Sequence, residues 1–336
     1  MNKKVGIPRG LFYYQFYPLW KSFFEELGAE IIISGNTSKK ILDDGVKKCV
    51  DEACLPVKVF YGHIASLKDK VDYLFIPRYT SVSKKEYICP KFGGLPDMIK
   101  HNFDGLPKII DVEVNLIKSK KNALKAAIDV GKYFTDDTRK IKKAYEKAFI
   151  HYRNFRNKVK SGINPDELFN IKKCASSDQS KAMLNIAVLG HGYNLYDNYV
   201  NMNIMTKLSK LGTNVLTLDM IDGNIIHEKS KLLNKKSFWY FGTKALGSTY
   251  HILDESNVDG IIYIMSFGCG VDSFICDLVE RKVRRSGNIP FIILTIDEHS
   301  GEAGLNTRIE AFTDMIRWRN NYENNISSYG KSIYMC

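Results

Sequence analysis

A chain of 336 residues with 44% hydrophobic content can bury more than one core, and its length points to two domains. No apolar run approaches the roughly 20 residues of a bilayer-spanning helix, and the polar opening Met1-Asn2-Lys3-Lys4 lacks a signal-peptide core, so a cytoplasmic protein is expected. The net charge of +12 is local rather than general: residues 118–160 carry 14 Lys and Arg against 4 acids. No nucleic-acid motif accompanies them, which sets nucleic acid last among partners.

Strand and helix signals alternate from the start. Lys4–Ile7 reads as a strand, followed by an aromatic stretch and a helix near Pro18–Leu27. Glu30–Ser34 is a second strand, Ser38–Val50 a helix, and Pro56–Leu67 a helix with proline in its first turn, where proline is welcome. Tyr73–Pro77 and Lys108–Val114 are further strands, with Cys89 in a long loop between them. The basic segment reads as two helices, with Ala144, Phe149 and Tyr152 among the lysines. A solvated linker is expected there, with a docking face for an acidic partner, a nucleotide or coenzyme A as the alternatives.

A second alternation follows. It runs strand Asn185–Gly190, helix Asn201–Leu211, strand Asn214–Asp219, helix Phe238–Glu255, strand Gly260–Met265, helix Val271–Arg285, strand Pro290–Ile296 and a final helix to about Asn320, with a fraying tail beyond. Such alternation implies parallel βαβ units. The expected fold is therefore α/β, with two Rossmann-like, doubly wound domains at 1–117 and 183–336 joined by a basic helical linker at 118–182. A ligand site is expected in the cleft at the carboxyl ends of the strands.

Seven cysteines, an odd number, argue against a disulfide framework. Three of them stand in unusual settings: Cys54 in Glu-Ala-Cys-Leu-Pro, Cys89 in Tyr-Ile-Cys-Pro-Lys and Cys269 in Phe-Gly-Cys-Gly-Val-Asp-Ser. Adjacent proline keeps the chain out of a helix, and flanking glycine lets main chain approach something bulky. Cys54 and Cys269 fall at helix starts, where free amides and the helix dipole favour a thiolate. If the three meet, they suit a [4Fe–4S] cluster with one iron left over. Zinc is the rival, although no Cys-x-x-Cys knuckle occurs. Cys49, Cys174, Cys276 and Cys336 read as ordinary cysteines, with Cys49 near enough to Cys54 in sequence to compete for its place.

Two loops after strands are further candidates. Asp297-Glu298-His299-Ser300-Gly301-Glu302 combines acids, a histidine and glycine, so Glu298, His299 and Glu302 are candidates for proton transfer, with simple helix capping as the alternative. Gly190-His191-Gly192-Tyr193-Asn194 offers Tyr193 and amides to a phosphate, or is an ordinary strand-to-helix turn. No Gly-x-x-x-x-Gly-Lys-Ser/Thr loop occurs.

Five segments carry a family resemblance. Lys4–Gly10, Asp51–Lys58, Tyr87–Phe92, Phe267–Phe274 and Asp297–Gly304 resemble, in that order, the acyl-CoA dehydratase activase-related proteins of the 2-hydroxyacyl-CoA dehydratase and benzoyl-CoA reductase group. The resemblance implies an oxygen-sensitive [4Fe–4S] protein with Cys54, Cys89 and Cys269 as metal ligands. It also implies a partner, an ATP-driven activator with its own cluster, which supplies low-potential electrons for reductive or radical chemistry on an acyl-CoA. Lys58 and Lys91, beside two ligands, would neutralise cluster charge, with surface salt bridges as the alternative for both. Gly192 departs from the proline common there in the family. A non-redox accessory module for a nucleotide or CoA ligand is the alternative reading.

Overall fold

The computed structural model describes residues 2–163, 165, 168, 184–233, 235–255, 257–287 and 289–323. Cys174 and Cys336 lie outside the described residues, as does the tail beyond Glu323. Two four-stranded sheets organise the chain. Lys4–Ile7 (β1), Glu30–Ile33 (β2), Tyr73–Phe75 (β3) and Lys108–Ile110 (β5) pair in the order β2-β1-β3-β5, every pairing parallel. Leu184–Gly190 (β7), Thr213–Thr217 (β8), Gly260–Ser266 (β9) and Phe291–Ile296 (β10) pair in the order β10-β9-β7-β8, again parallel. Both sheets share one winding order, so each reverses direction beside its first strand. That is the doubly wound α/β arrangement read from the sequence.

The stretch from Tyr73 to Asn115 is richer than expected. Lys108–Val114 is two strands in different sheets, because β5 ends at Ile110 and Glu113–Asn115 (β6) pairs with Arg78–Ser81 (β4). The break falls at Asp111, whose carboxylate takes Arg78 at 3.2 Å and Lys100 at 2.8 Å. The long loop assigned to Cys89 is largely a helix, Pro90–Asn102 (α4), with Phe92, Leu95, Pro96 and Ile99 buried.

The helices cover the sheets with aromatic and aliphatic faces. Tyr13–Glu26 (α1) begins five residues before Pro18 and buries Tyr13, Tyr14, Tyr17, Trp20, Phe23 and Phe24 along one stripe. Lys39–Lys48 (α2) and Leu55–Leu67 (α3) cross with their backbones in contact. A Cβ on Gly62 would lie 1.8 Å from the Ile41 carbonyl oxygen, and one on Gly45 would lie 1.9 Å from that of Lys58. Only glycine permits that approach.

The basic segment forms two helices, Asn122–Gly131 (α5) and Thr138–Lys160 (α6). The latter starts at Asp137, which accepts from the amides of Arg139 and Lys140. It is not a free linker. Ile141, Ala144, Ala148, Phe155 and Val159 are buried, Lys147 pairs with Glu26 of α1 at 2.7 Å, and Lys160 pairs with Asp222 at 2.5 Å. Arg156 reaches Asp219, just past β8, at 3.2 Å. Thus α6 straps elements of one sheet to the other.

Gly192–Leu195 (α7), Ile204–Lys210 (α8), Gly223–Ser230 (α9), Tyr240–Glu255 (α10), Gly270–Ser286 (α11) and Glu302–Glu323 (α12) complete the C-terminal part. Aromatic contacts seal the seam between the sheets: Phe12 with Phe241 at 5.8 Å, Phe92 with Tyr193 at 6.3 Å and Tyr14 with Tyr196 at 6.4 Å. Among the described residues, no helix is long and apolar enough to cross a membrane.

Candidate metal centre

Cys54, Cys89 and Cys269 are each the residue at which a helix begins: α3, α4 and α11. Pro56 and Pro90 occupy first-turn positions of their helices, where the missing N–H costs nothing. In a parallel βαβ chain, a helix that descends toward the next strand starts at the carboxyl edge of the sheet. Cys54 and Cys89 therefore stand at the carboxyl edge of the first sheet and Cys269 at that of the second, and Cys89, expected in a loop, shares with the other two a place at a helix N-terminus.

The two parts of the chain touch here. A Cβ built on Gly268, the residue before Cys269, would stand 3.8 Å from Cys54 Cα, and Gly268 itself has a φ of +74°. The thiols sense one another. Burial raises the Cys54 thiol pKa, and the nearby Cys89 adds to the rise while Lys91 opposes it. Burial first, then Asp272 and the other two cysteines, push Cys269 up to about 12. Opposing this, the backbone amides of Val57 and Asp272, third in their helices, favour the ionised sulfurs of Cys54 and Cys269. Tyr193, buried beneath, feels all three cysteines, and burial holds its phenol far above its ordinary value.

The remaining described cysteines differ. Cys276 is also raised to about 12, but after burial its neighbours are the acids Asp272, Glu280 and Asp277 rather than thiols. Cys49 ends α2 and is raised by burial, with Cys54 the one other cysteine among its main influences.

Beside Cys269 lies a buried polar cluster that sequence reasoning assembled only in part. A nitrogen of His191, Cys269 Sγ and a carboxylate oxygen of Asp272 all lie within 4.8 Å of one another. His191 follows β7 and Cys269 follows β9, the neighbouring strands beside which the sheet reverses its winding. Gly190 makes the turn possible: its φ is +144°, and a Cβ there would lie 2.4 Å from the Ile264 carbonyl oxygen. The Asp272 Oδ1 accepts from the Tyr263 hydroxyl at 2.6 Å, and Oδ2 stands 3.3 Å from His191 Nδ1. Phe241 and Tyr193 pack against the imidazole at 4.1 and 4.9 Å.

Comparison with known families places these observations. A family-wide sequence profile described as "CoA enzyme activase uncharacterised domain" matches residues 4–221. The chain belongs to that family. A second profile, the 2-hydroxyglutaryl-CoA dehydratase D-component, matches residues 243–316. No curated protein matches the chain. The activase-related chain thus carries both signatures of the 2-hydroxyacyl-CoA dehydratase and activase group, as its five motifs suggested. Cys54 and Cys89 fall in the first matched span and Cys269 in the second.

Within this activase-related protein the other candidates separate. Lys58, one turn after Cys54, is 4% exposed and pairs with Glu298, so it is not a surface ion pair. Its hydrogen bond holds the Glu298 carboxyl below its usual range, against burial, which alone would raise it. Glu302 pairs with Lys207 at 2.7 Å, and His299 is exposed, its amide donating to Asp297 at 2.9 Å. Of these three, Glu298 is tied through Lys58 to the helix that Cys54 begins. Tyr193 is buried toward the thiols, not presented to solvent.

Proposed function

We propose that this chain is a redox protein of the dehydratase and activase group whose Cys54, Cys89 and Cys269 hold a [4Fe–4S] cluster at the seam between residues 1–117 and 183–336. The observation that carries this reading is the convergence of three helix-starting cysteines from distant stretches on one buried seam. The donor set fits the group. The Cys54 and Cys269 thiols, whose pKa values burial and then neighbouring groups including cysteine raise, resist ionisation alone, and a bound cationic metal centre would deprotonate and neutralise the set together. Lys58 and Lys91 lie close enough to influence the neighbouring Cys49 and add positive charge beside the set. Tyr193, buried and close enough to be influenced by all three cysteines, adds an aromatic wall beside the set.

A bound cluster supplies one-electron transfer at a potential set by burial, charge and hydrogen bonds to sulfur. We infer an ATP-driven activator protein with its own cluster as electron donor, and an acyl-CoA as the chemistry served. The test is anaerobic purification or reconstitution, with iron and acid-labile sulfide measured. Close to four irons per chain is expected. Cys54→Ala, Cys89→Ala and Cys269→Ala should each lose most of the iron, whereas Cys276→Ala should keep it. A colourless, iron-free wild-type protein, or an iron content indifferent to Cys269, ends this reading.

A further inference from the structure

Three cysteines leave one iron of a cubane without a thiolate, and the buried cluster beside Cys269 offers a donor for it. Asp272 is 1% exposed and His191 is 5% exposed. Asp272 Oδ2 and His191 Nδ1 face each other 3.3 Å apart without hydrogen-bond alignment, and neither atom has another partner among the described residues. Leaving two such atoms unpaired costs about 1–3 kcal/mol each. A small rotation of the imidazole would align them.

The roles within the trio follow from what each atom already does. Asp272 Oδ1 is engaged by Tyr263 and Oδ2 faces the imidazole, so this carboxylate orients rather than ligates. An imidazole that donates from Nδ1 to a carboxylate presents its lone pair at Nε2, the arrangement commonly found behind metal-bound histidine. Phe241 and Tyr193 fix the plane of the ring, and Cys269 lies within reach of the same group.

We propose that His191, oriented by Asp272 and Tyr263, is the fourth protein ligand of the iron–sulfur cluster, bound through Nε2. The inference rests on the cluster reading above and deepens it. A protein ligand at that iron makes the chain an electron carrier rather than the place where a thioester coordinates.

The test is pulsed electron paramagnetic resonance of the reconstituted, chemically reduced full-length protein, prepared with natural-abundance or 15N-labelled histidine. The expected result is a strong nitrogen hyperfine coupling that changes with the label. It should vanish in His191→Gln and shrink in Asp272→Asn, while iron stays near the wild-type stoichiometry. An EPR-active cluster with full iron but no strongly coupled histidine nitrogen overturns the proposal and leaves the three-cysteine reading standing. A coupling that survives in His191→Gln also overturns it. If His191→Gln does not fold, the volume-conserving Asp272→Asn decides, and a coupling of wild-type size there is fatal. A wild-type chain that binds zinc alone, or no metal, removes the underlying reading together with this one.

Discussion

Replacing Asp219 with Asn removes the carboxylate that Lys244 and Arg156 share across the seam. Asp219 is 4% exposed and accepts from Lys244 at 2.5 Å, Arg156 at 3.2 Å and the Tyr196 hydroxyl at 3.0 Å. Burial works to raise its pKa, yet Lys244 and Arg156 hold it down to about 2. Burial, the larger influence on Lys244, draws that ammonium below its ordinary value. The two directions are consistent, because a single carboxylate serves two cations and leaves a buried surplus of positive charge. The depression of Asp219 corresponds to about 2 kcal/mol of stability by linkage. Deleting the anion also strands two cations, and breaking such a pair costs about 3–5 kcal/mol. We therefore expect Asp219→Asn to lose about 3 kcal/mol at pH 7. With a urea slope of about 3 kcal/mol/M for a chain of this size, the midpoint should fall by about 1 M. Because the folded pKa lies below the unfolded value, the carboxylate's contribution is complete above about pH 5 and fades toward pH 2. The gap between wild type and variant should narrow over that window. Lys244→Met, which leaves the Arg156 pair intact, should cost less than about 1 kcal/mol. A gap below 1 kcal/mol at pH 7, or one independent of pH, would refute the reasoning.

Gly62→Ala forces α2 and α3 apart, since the new Cβ would meet the Ile41 carbonyl oxygen at 1.8 Å. A loss of about 3 kcal/mol is expected from overpacking, with reduced iron uptake because Cys54 begins α3; calorimetry and metal analysis read both. Gly94→Ala in α4, where nothing stands within 4 Å, should instead gain about 0.5–1 kcal/mol. His63 is fully buried with Nε2 3.0 Å from the Thr37 hydroxyl, and burial lowers its pKa to about 3. The unfolded chain takes up that proton near pH 6.5 and the folded chain only near 3, so stability should decline by on the order of 5 kcal/mol as pH falls through that interval. His63→Gln should flatten the decline in urea titrations run from pH 7 to 4. Glu298→Gln leaves the buried Lys58 without its anion and should lower the melting temperature, whereas His299→Ala at its exposed site should not.

The parts that sequence patterning captured are those where local pattern and tertiary role agree. β9 is a buried apolar run and β10 an apolar run at the sheet edge, and both read directly as parallel strands. Cys54 and Cys269 could be placed at helix starts because proline and glycine punctuate the chain beside them. Patterning fails where packing overrides it. α4 contains Gly93, Gly94 and Pro96, all poor in helix interiors, yet burial of Phe92, Leu95 and Ile99 holds it together. α1 begins before Pro18 because Tyr13, Tyr14 and Tyr17 are needed in the core. Asp272 escaped notice for a different reason: an acid in a helix's first turn usually caps it. Only the adjacency of β7 and β9 sets it against His191, about 80 residues earlier. The usable signal was topological: in a doubly wound sheet, residues just past those two strands are neighbours.

The near-contact between Gly268 and Cys54 has a bearing on how the protein is made. Two of the three sulfurs leave the ribosome about 180 residues ahead of the last, a delay of roughly 10–40 s at ordinary rates of synthesis. Until the later stretch docks, the early pair faces solvent with no lid of Gly268 main chain above it. For the proposed cluster, the third ligand becomes available only late in synthesis, and a chain truncated before β9 would lack it.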